Sequence, residues 1–378
     1  MLRLMFLPLA GAVLLSGCGT PNLDAGRASF YRGRLDEAVQ VLSPSKIPDT
    51  DRVLYLMERG MARQLGGDYA QSATDFIEAA DVLTENERIS ISRGGASYVI
   101  NDSVQSFKGA PFERSLLHAF TAKNHLARGI WDNGAVEARR MLDVVEPEQR
   151  GDYPEDAYSR YMTGFCFEMI DDLSNAARQY EAADKLAPNV EIDSLGRLSA
   201  IPGAKRAAGM PDAELVCFVL AGRGRSRAYG SYGSTDPVYA EIRHDGSVLG
   251  RSHVLTDTVT MSRQSEQVEA GRESLKTLTR VAIKEGIAQT LDAEQDGLGD
   301  VARIILFGLL EQPDDRRWET LPRWLSVARV PCPQDLAEFD VVFRRASGGI
   351  VKSIRMPRPH SRRRNIYFAF CRDIVPAD

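Results

Sequence analysis

Long apolar runs are nearly absent from this 378-residue chain. One stretch qualifies, Leu4 to Leu15, and Pro8 interrupts it. It falls short of the roughly 20 apolar residues that a bilayer-spanning helix needs, and no other segment reaches that length. Cysteine is sparse, with five residues at Cys18, Cys166, Cys217, Cys332 and Cys371, and there are five histidines. No CxxC pair and no Cys/His cluster has zinc-ligand spacing, so no metal site is expected. Catalytic signatures are missing too. There is no GxSxG elbow, and SRGGAS lacks the Gly-Lys-Ser/Thr ending of a phosphate loop. The carboxylate pairs Asp171-Asp172 and Asp314-Asp315 adjoin expected turns and helix starts, where Asp is favoured for structural reasons. The reading is of a chain that is not an enzyme and takes no cofactor.

Positive charge is scarce at the start. Arg3 is the only charged residue before Asp24. One cation, a short apolar run and small residues at its end are the parts of a secretory signal. Leu15-Ser16-Gly17-Cys18 resembles the lipobox of bacterial lipoproteins, in which the Cys is acylated and becomes the mature N-terminus. The resemblance implies a signal peptide over 1–17, lipidation at Cys18 and a membrane anchor, since multiple acyl chains hold a protein where one is marginal. Gly19, rather than Asp, implies the outer membrane and a chain facing the periplasm. Such a compartment permits disulfides among the four later cysteines, but four buried thiols fit equally well.

Net charge is −5, unevenly spread. From Cys18 to Ala213 there are 22 Lys and Arg against 30 Asp and Glu; from Glu214 onward there are 24 against 22. The acidic half argues against a nucleic-acid binder.

What the chain does have is repetition. TGFCFEMIDDLSNAARQYEAADKLAPN places Gly164, Phe167, Leu173, Ala176, Tyr180, Ala183 and Pro188 at the small, aromatic and Pro positions of a tetratricopeptide repeat. Small residues sit where two helices cross, rings fill the space around the crossing, and Pro188 ends the second helix. RGMARQLGGDYAQSATDFIEAADVL repeats the pattern with Gly60, Tyr69, Phe76 and Ala79. GRASFYRGRLDEAVQVL offers Gly26, Leu35 and Ala38, and Gly26 to Gly60 is 34 residues, the period of this repeat. FERSLLHAFTAKNHLARGIWDNGAVEARRML forms a further pair, with its turn at Gly129 to Asp132. TENERISISRGGASYVINDSVQSFKGAP breaks the period and reads as an insertion loop.

After Pro202-Gly203 and Gly209-Met210-Pro211 the pattern changes. ELVCFVL, Glu214 to Leu220, reads as a buried strand. Val238 to Ile242 and Ser247 to Leu255 flank HDG as a hairpin. Glu273 to Ala293 and Val301 to Leu310 read as helices, and Phe339 to Arg344 and Asn365 to Cys371 as closing strands. The expected architecture is α+β: a tetratricopeptide-like α-solenoid over 18–201, a linker over 202–213, and a mixed α/β domain over 214–378. Whether the strands make one sheet or two is open at this point.

NDSVQSFKGAPFERSLLHAFTAKNHLA, AVEARRML, TLTRVAIKEGIAQTL and DDRRWETLPRWLSVARV, in this order, resemble an uncharacterised family of bacterial tetratricopeptide-repeat lipoproteins. The resemblance implies an envelope location and a two-part architecture, and it carries no reaction and no catalytic residue.

Helical arrays bind partners on their concave face. The function expected is therefore a protein–protein interaction scaffold, with an envelope protein of assembly or peptidoglycan synthesis as partner. The alternative is a lipid- or glycan-binding protein using a pocket in the C-terminal domain. Candidate contacts on the inner helices are Tyr55, Arg63 and Arg160. RRWETLPRW adds Trp318 and Trp324, either as a recognition surface or as a packed connection that anchors a loop to the sheet. The basic run Arg355 to Arg364, with Arg358 and Arg363, and the segment GRGRSR, with Arg223, Arg225 and Arg227, could meet phosphate groups, though most such runs are solvated loops.

Overall fold

The computed structural model describes residues 21–92, 106–187, 189–200, 212–224, 238–272 and 316–377. The first half is a succession of helix hairpins. They comprise α1 (Pro21–Tyr31) with α2 (Leu35–Val41), α3 (Arg52–Leu65) with α4 (Tyr69–Ser92), α5 (Pro111–Ala127) with α6 (Trp131–Val145), and α8 (Ala157–Met169) with α9 (Leu173–Leu186). A single turn, α7 (Pro147–Arg150), precedes the last hairpin. Glycines turn the chain within the first three hairpins, with positive φ at Gly33, Gly67 and Gly129, and Asp171 takes that conformation between α8 and α9. The side chain of Asp156 caps α8 by accepting the Ser159 N–H at 2.8 Å. Asp172 does the same for α9 at the Asn175 N–H, so its place in the Asp171-Asp172 pair is structural.

Close approach explains the periodic glycines. A methyl group on Gly26 would fall 2.5 Å from Leu42, and one on Gly164 would fall 2.9 Å from Tyr180. Gly60 stands in the same relation to Phe76. Each large side chain of a second helix thus lies directly on the bare backbone of the first. Thr84 to Ser92, read from sequence as the start of the insertion loop, instead continue α4. Residues 93–105 of the expected insertion loop lie outside the described residues, as do the expected helices over 273–293 and 301–310 and most of the expected linker.

A two-residue ladder, β1 (Glu191–Ile192) with β2 (Leu198–Ser199), follows α9. The strands beyond it form two sheets among the described residues. One has the order β10-β11-β3-β7-β6 and the other β5-β4-β8-β9. Their strands are β3 (Glu214–Ala221), β4 (Tyr239–His244), β5 (Ser247–Arg251), β6 (His253–Asp257), β7 (Trp324–Pro331), β8 (Phe339–Arg344), β9 (Ile350–Met356), β10 (Ser361–Arg363) and β11 (Ile366–Arg372). The HDG turn joins β4 and β5, with φ of 47° at Asp245 and 75° at Gly246, as a tight hairpin requires. The expected strand to Leu255 is split at Ser252, where the chain crosses from one sheet to the other. Ser252 anchors that corner through its hydroxyl, which accepts the Ala240 N–H at 2.9 Å. A helix over 258–272, α10, follows β6. β11 runs parallel to β3, and the other pairings are antiparallel.

The layers explain why β3 is apolar without a break from Leu215 to Ala221: every residue of the strand is buried, Glu214 at its start being paired with Arg329. Leu215, Cys217 and Val219 face the second sheet and pack with Ile242, Val341 and Phe343. Val216, Phe218 and Leu220 face the helices and share one core with Phe76, Phe120, Tyr161 and Phe165. The second half is therefore a two-sheet sandwich with one core between its sheets and a second, shared with the helices, where its larger sheet fills the inner side of the helical array.

Candidate functional site

The inner side of the array is where partner binding is expected, and it holds a segment of its own chain. Residues 316–321 run along α1, α3 and α5, and their backbone is satisfied by buried carboxylates. Glu58 of α3, with no exposed surface, accepts the Glu319 N–H at 3.0 Å and the Thr320 N–H at 3.1 Å. Glu113 of α5 accepts the Trp318 N–H at 3.2 Å and the Ala110 N–H at 3.0 Å. Arg27 of α1 donates to Glu58 at 2.7 Å, to the Glu319 carboxylate at 3.0 Å and to the Arg317 carbonyl at 2.8 Å. Burial opposes the charge on Arg27, but Glu58 and Glu319 outweigh it and hold the guanidinium above its ordinary pKa. Tyr31 donates to the Glu319 carbonyl at 2.6 Å, and Arg316 donates to Asp51 at 3.0 Å. The Trp318 ring stands edge-on between Phe76 and Phe120, at centroid distances of 5.8 and 5.5 Å.

Desolvation shapes the charges here. Burial pushes the Glu113 carboxyl up to about 7, against the pull of its two backbone hydrogen bonds. Lys123 of α5 is fully buried. Its Nζ lies 3.5 Å from the Phe120 ring centroid, 5.5 Å from Phe370 and 6.0 Å from Tyr158. No described atom hydrogen-bonds to it. Desolvation, and next the Arg372 charge, holds the amine well below its ordinary pKa. Arg372 lies 4.8 Å from the Phe30 ring and donates to the Thr320 carbonyl at 2.6 Å. His360 stacks on Phe370 at 4.3 Å, and burial brings its pKa down to about 4, with Arg358 and Lys123 adding to the shift. Elsewhere at the junction Arg329 bridges Glu168 of α8 at 2.8 Å and Glu214 of β3 at 2.7 Å. Together these groups pin the sheet to the helices, and they sit in packed interior, closed to a substrate.

The residues singled out from sequence are not brought together. Tyr55 is only 3% exposed and Trp318 only 2%, so neither offers a recognition surface. Trp318 is the packed anchor of the two readings. Arg63 is paired with Asp75 at 2.7 Å, in a cluster that Arg59 completes. Arg160 is paired with Glu155 and donates to Gln179 at 2.8 Å. Trp324 opens β7, half-buried, with the Arg323 guanidinium 4.4 Å from its ring. Arg358 is exposed between β9 and β10. Arg363 lies in β10, 3.4 Å from Asp171. The basic run is therefore dispersed: Arg355 pairs with Glu338 and Arg364 with Asp171. Cys18, Arg225 and Arg227 lie outside the described residues.

The four described cysteines are unpaired, and all but Cys332 are buried. Burial raises each thiol, Cys217 to about 12 and Cys332 to about 11, where Glu214 adds to the effect. Among the described residues no three His, Cys, Asp or Glu side chains form a group that could hold a metal ion.

A cleft of about 450 Å³ opens beside the turn between α1 and α2. Arg32, Arg223, Arg345 and Lys352 line it, with Asp373 the single carboxylate among the described residues and Val351 and Val375 on the apolar side. The Arg223 guanidinium lies 4.3 Å from the Tyr31 ring. Of these cations only Arg223 stands out as sequence, in GRGRSR. The others come from separate segments, and no periodicity joins them. No protein-family model matches the chain, and no curated protein is found to match it.

Proposed function

We propose that the chain is a lipid-anchored lipoprotein of the bacterial outer membrane, facing the periplasm. In this reading it serves as a protein–protein interaction scaffold for an envelope partner and not as an enzyme. The array is of tetratricopeptide type, supported by the recurrence of Gly26 under Leu42, Gly60 under Phe76 and Gly164 under Tyr180. One observation carries the reading: among the described residues, the carboxylates and cations Glu113, Lys123, Asp156, Arg329 and Arg372, whose charge burial perturbs, are all buried in packing between helices and strands. Catalysis needs perturbed groups in a cleft that substrate can enter. Here they tie the array to the sandwich, which makes a rigid module whose first helix starts three residues after Cys18.

The inner face is not the docking face in this arrangement. Displacing residues 316–321 would take two backbone hydrogen bonds from Glu58 and one from Glu113, leaving Glu58 with Arg27 and Glu113 with the Ala110 N–H, at about 1–3 kcal/mol for each buried group left unsatisfied. Recognition therefore falls to the outer surface, where Val136 of α6 is 44% exposed and Leu173 of α9 is 61% exposed.

The test has two arms. Cys18→Ser is expected to move the protein out of the membrane fraction or to block its maturation; unchanged processing and retention would refute the anchor. Photo-crosslinkers at Val136 and Leu173 are expected to capture one specific envelope protein in cells. Capture of nothing, or of lipid alone, would refute the scaffold.

A further inference from the structure

We propose that the cleft beside the α1–α2 turn is a docking site for the phosphate headgroups of anionic lipids. It would seat the module on the membrane to which its N-terminus leads. The choice of lipid rests on the anchor reading of Cys18, while the cleft itself stands on its own geometry.

The cleft collects Arg32 from the α1–α2 turn, Arg223 from beyond β3, and Arg345 and Lys352 from the β8–β9 hairpin, three separate parts of the chain. Asp373, the carboxylate among them, accepts the Gly222 N–H at 2.9 Å. Lys352 gives its Nζ to the Asp373 carbonyl oxygen at 3.0 Å, a neutral acceptor that leaves the ammonium charge uncompensated. Arg32 is exposed, and no described carboxylate pairs with it. These cations face an open space large enough for a headgroup, where a phosphate can take several charge-assisted hydrogen bonds at once.

Aliphatic exposure is concentrated at the same place. Val351 is 37% exposed, Val375 48% and neighbouring Ile350 58%, three of the seven large apolar side chains exposed among the described residues. Cations beside exposed aliphatic side chains match the border between headgroups and acyl chains, where charge attraction and apolar burial act together. A free phosphate compound would use the cations and leave the aliphatics in water. Reach is sufficient as well. The cleft lies at the end of α1, an 11-residue helix about 16 Å long at 1.5 Å per residue. The three residues back to Cys18 add at most about 10 Å.

The probe is the full chain from residue 18 carrying Cys18→Ser, so that no acyl group contributes. It is floated with vesicles of phosphatidylethanolamine containing phosphatidylglycerol, or of phosphatidylcholine alone. The expected result is binding to the first and not the second. Replacing both Arg32 and Lys352 by Ala should lower binding about 30-fold, from the usual contribution of one basic residue at an anionic surface. Arg358→Ala, an exposed arginine outside the cleft, should change it less than threefold. Equal loss with Arg358→Ala, or no binding by the parent chain, overturns the proposal. Full inhibition by free pyrophosphate at unchanged ionic strength overturns the lipid as ligand. Melting followed by circular dichroism confirms that the double variant is folded. In cells, the Arg32→Ala/Lys352→Ala protein is fractionated with Cys18 intact and with Cys18→Ser, so that retention lost only with Cys18→Ser reports on the anchor with the cleft already disabled, and the failure of one reading is distinguishable from the failure of the other.

Discussion

Replacing Lys123 by Met should stabilise this protein, although it removes a charged residue from a folded interior. The amine is fully buried, with Phe120, Phe370 and Tyr158 around it and no hydrogen-bond acceptor in reach. Its nearest charge of influence is Arg372, of like sign. Met follows nearly the same path with its thioether and needs no partner. Exchange of buried ionic groups for apolar ones of similar volume is worth about 1–4 kcal/mol in favourable cases, or a few degrees in melting temperature at this chain length. The pH dependence is more diagnostic than the size. An amine whose folded pKa is depressed costs stability below the unfolded pKa, and the cost shrinks as pH rises towards it. Where the native amine is neutral and the unfolded one charged, the slope is one proton, about 1.4 kcal/mol per pH unit. Urea unfolding of both proteins from pH 7 to 8.5 measures it, in a window where the raised thiols and tyrosines stay protonated in the native state. The gap between variant and parent should be widest at pH 7 and close with rising pH. A destabilised variant, or a gap independent of pH, would refute the account of Lys123 as an unpartnered buried amine.

Other sites give sharper losses. Trp318→Ala should cost about 3–5 kcal/mol in urea unfolding, because Phe76 and Phe120 would face a void that neither α4 nor α5 can close. A loss under 1 kcal/mol would show that residues 316–321 are not the fastening between array and sheet. Gly60→Ala should cost about 1–3 kcal/mol, since its methyl would collide with the Phe76 ring, and the same substitution at Gly67, which has open space around it, should act only through its positive φ. His360→Phe keeps the stack on Phe370 and removes a titrating group. The His360 pKa is lowered from 6.5 to about 4, so parent stability is lost as pH falls through that window. The variant should lose less, by up to about 3 kcal/mol by pH 4, and equal acid sensitivity would exclude His360 as a contributor.

Sequence alone carried the local facts. Helix hairpins follow from the spacing of Gly, aromatic and Ala residues, because each hairpin closes within some thirty residues and its sterics are written in near neighbours. The strand Glu214–Ala221 follows from its apolar run, and the HDG hairpin from the φ that its turn demands. The proposed cut-and-anchor reading of Leu15 to Cys18 rests on sequence alone, since those residues lie outside the described ones. Tertiary structure alone decided where these pieces meet. The inner side of the array is filled by β3, β7, β11 and residues 316–321, so Trp318 and Tyr55, which as sequence are as suited to a surface as to a core, lie inside. The distinctive RRWETLP motif is explained by this: Glu58 and Glu113, more than two hundred residues earlier in the chain, bind its backbone. Nothing in the local pattern of either segment encodes the other. The cleft shows the same limit, since Arg32, Arg223, Arg345 and Lys352 are ordinary surface cations in their own segments. Their shared charge exists only because the sheet order and the seating of the sandwich on α1 bring three distant segments, the α1–α2 turn, the end of β3 and the β8–β9 hairpin, to one place.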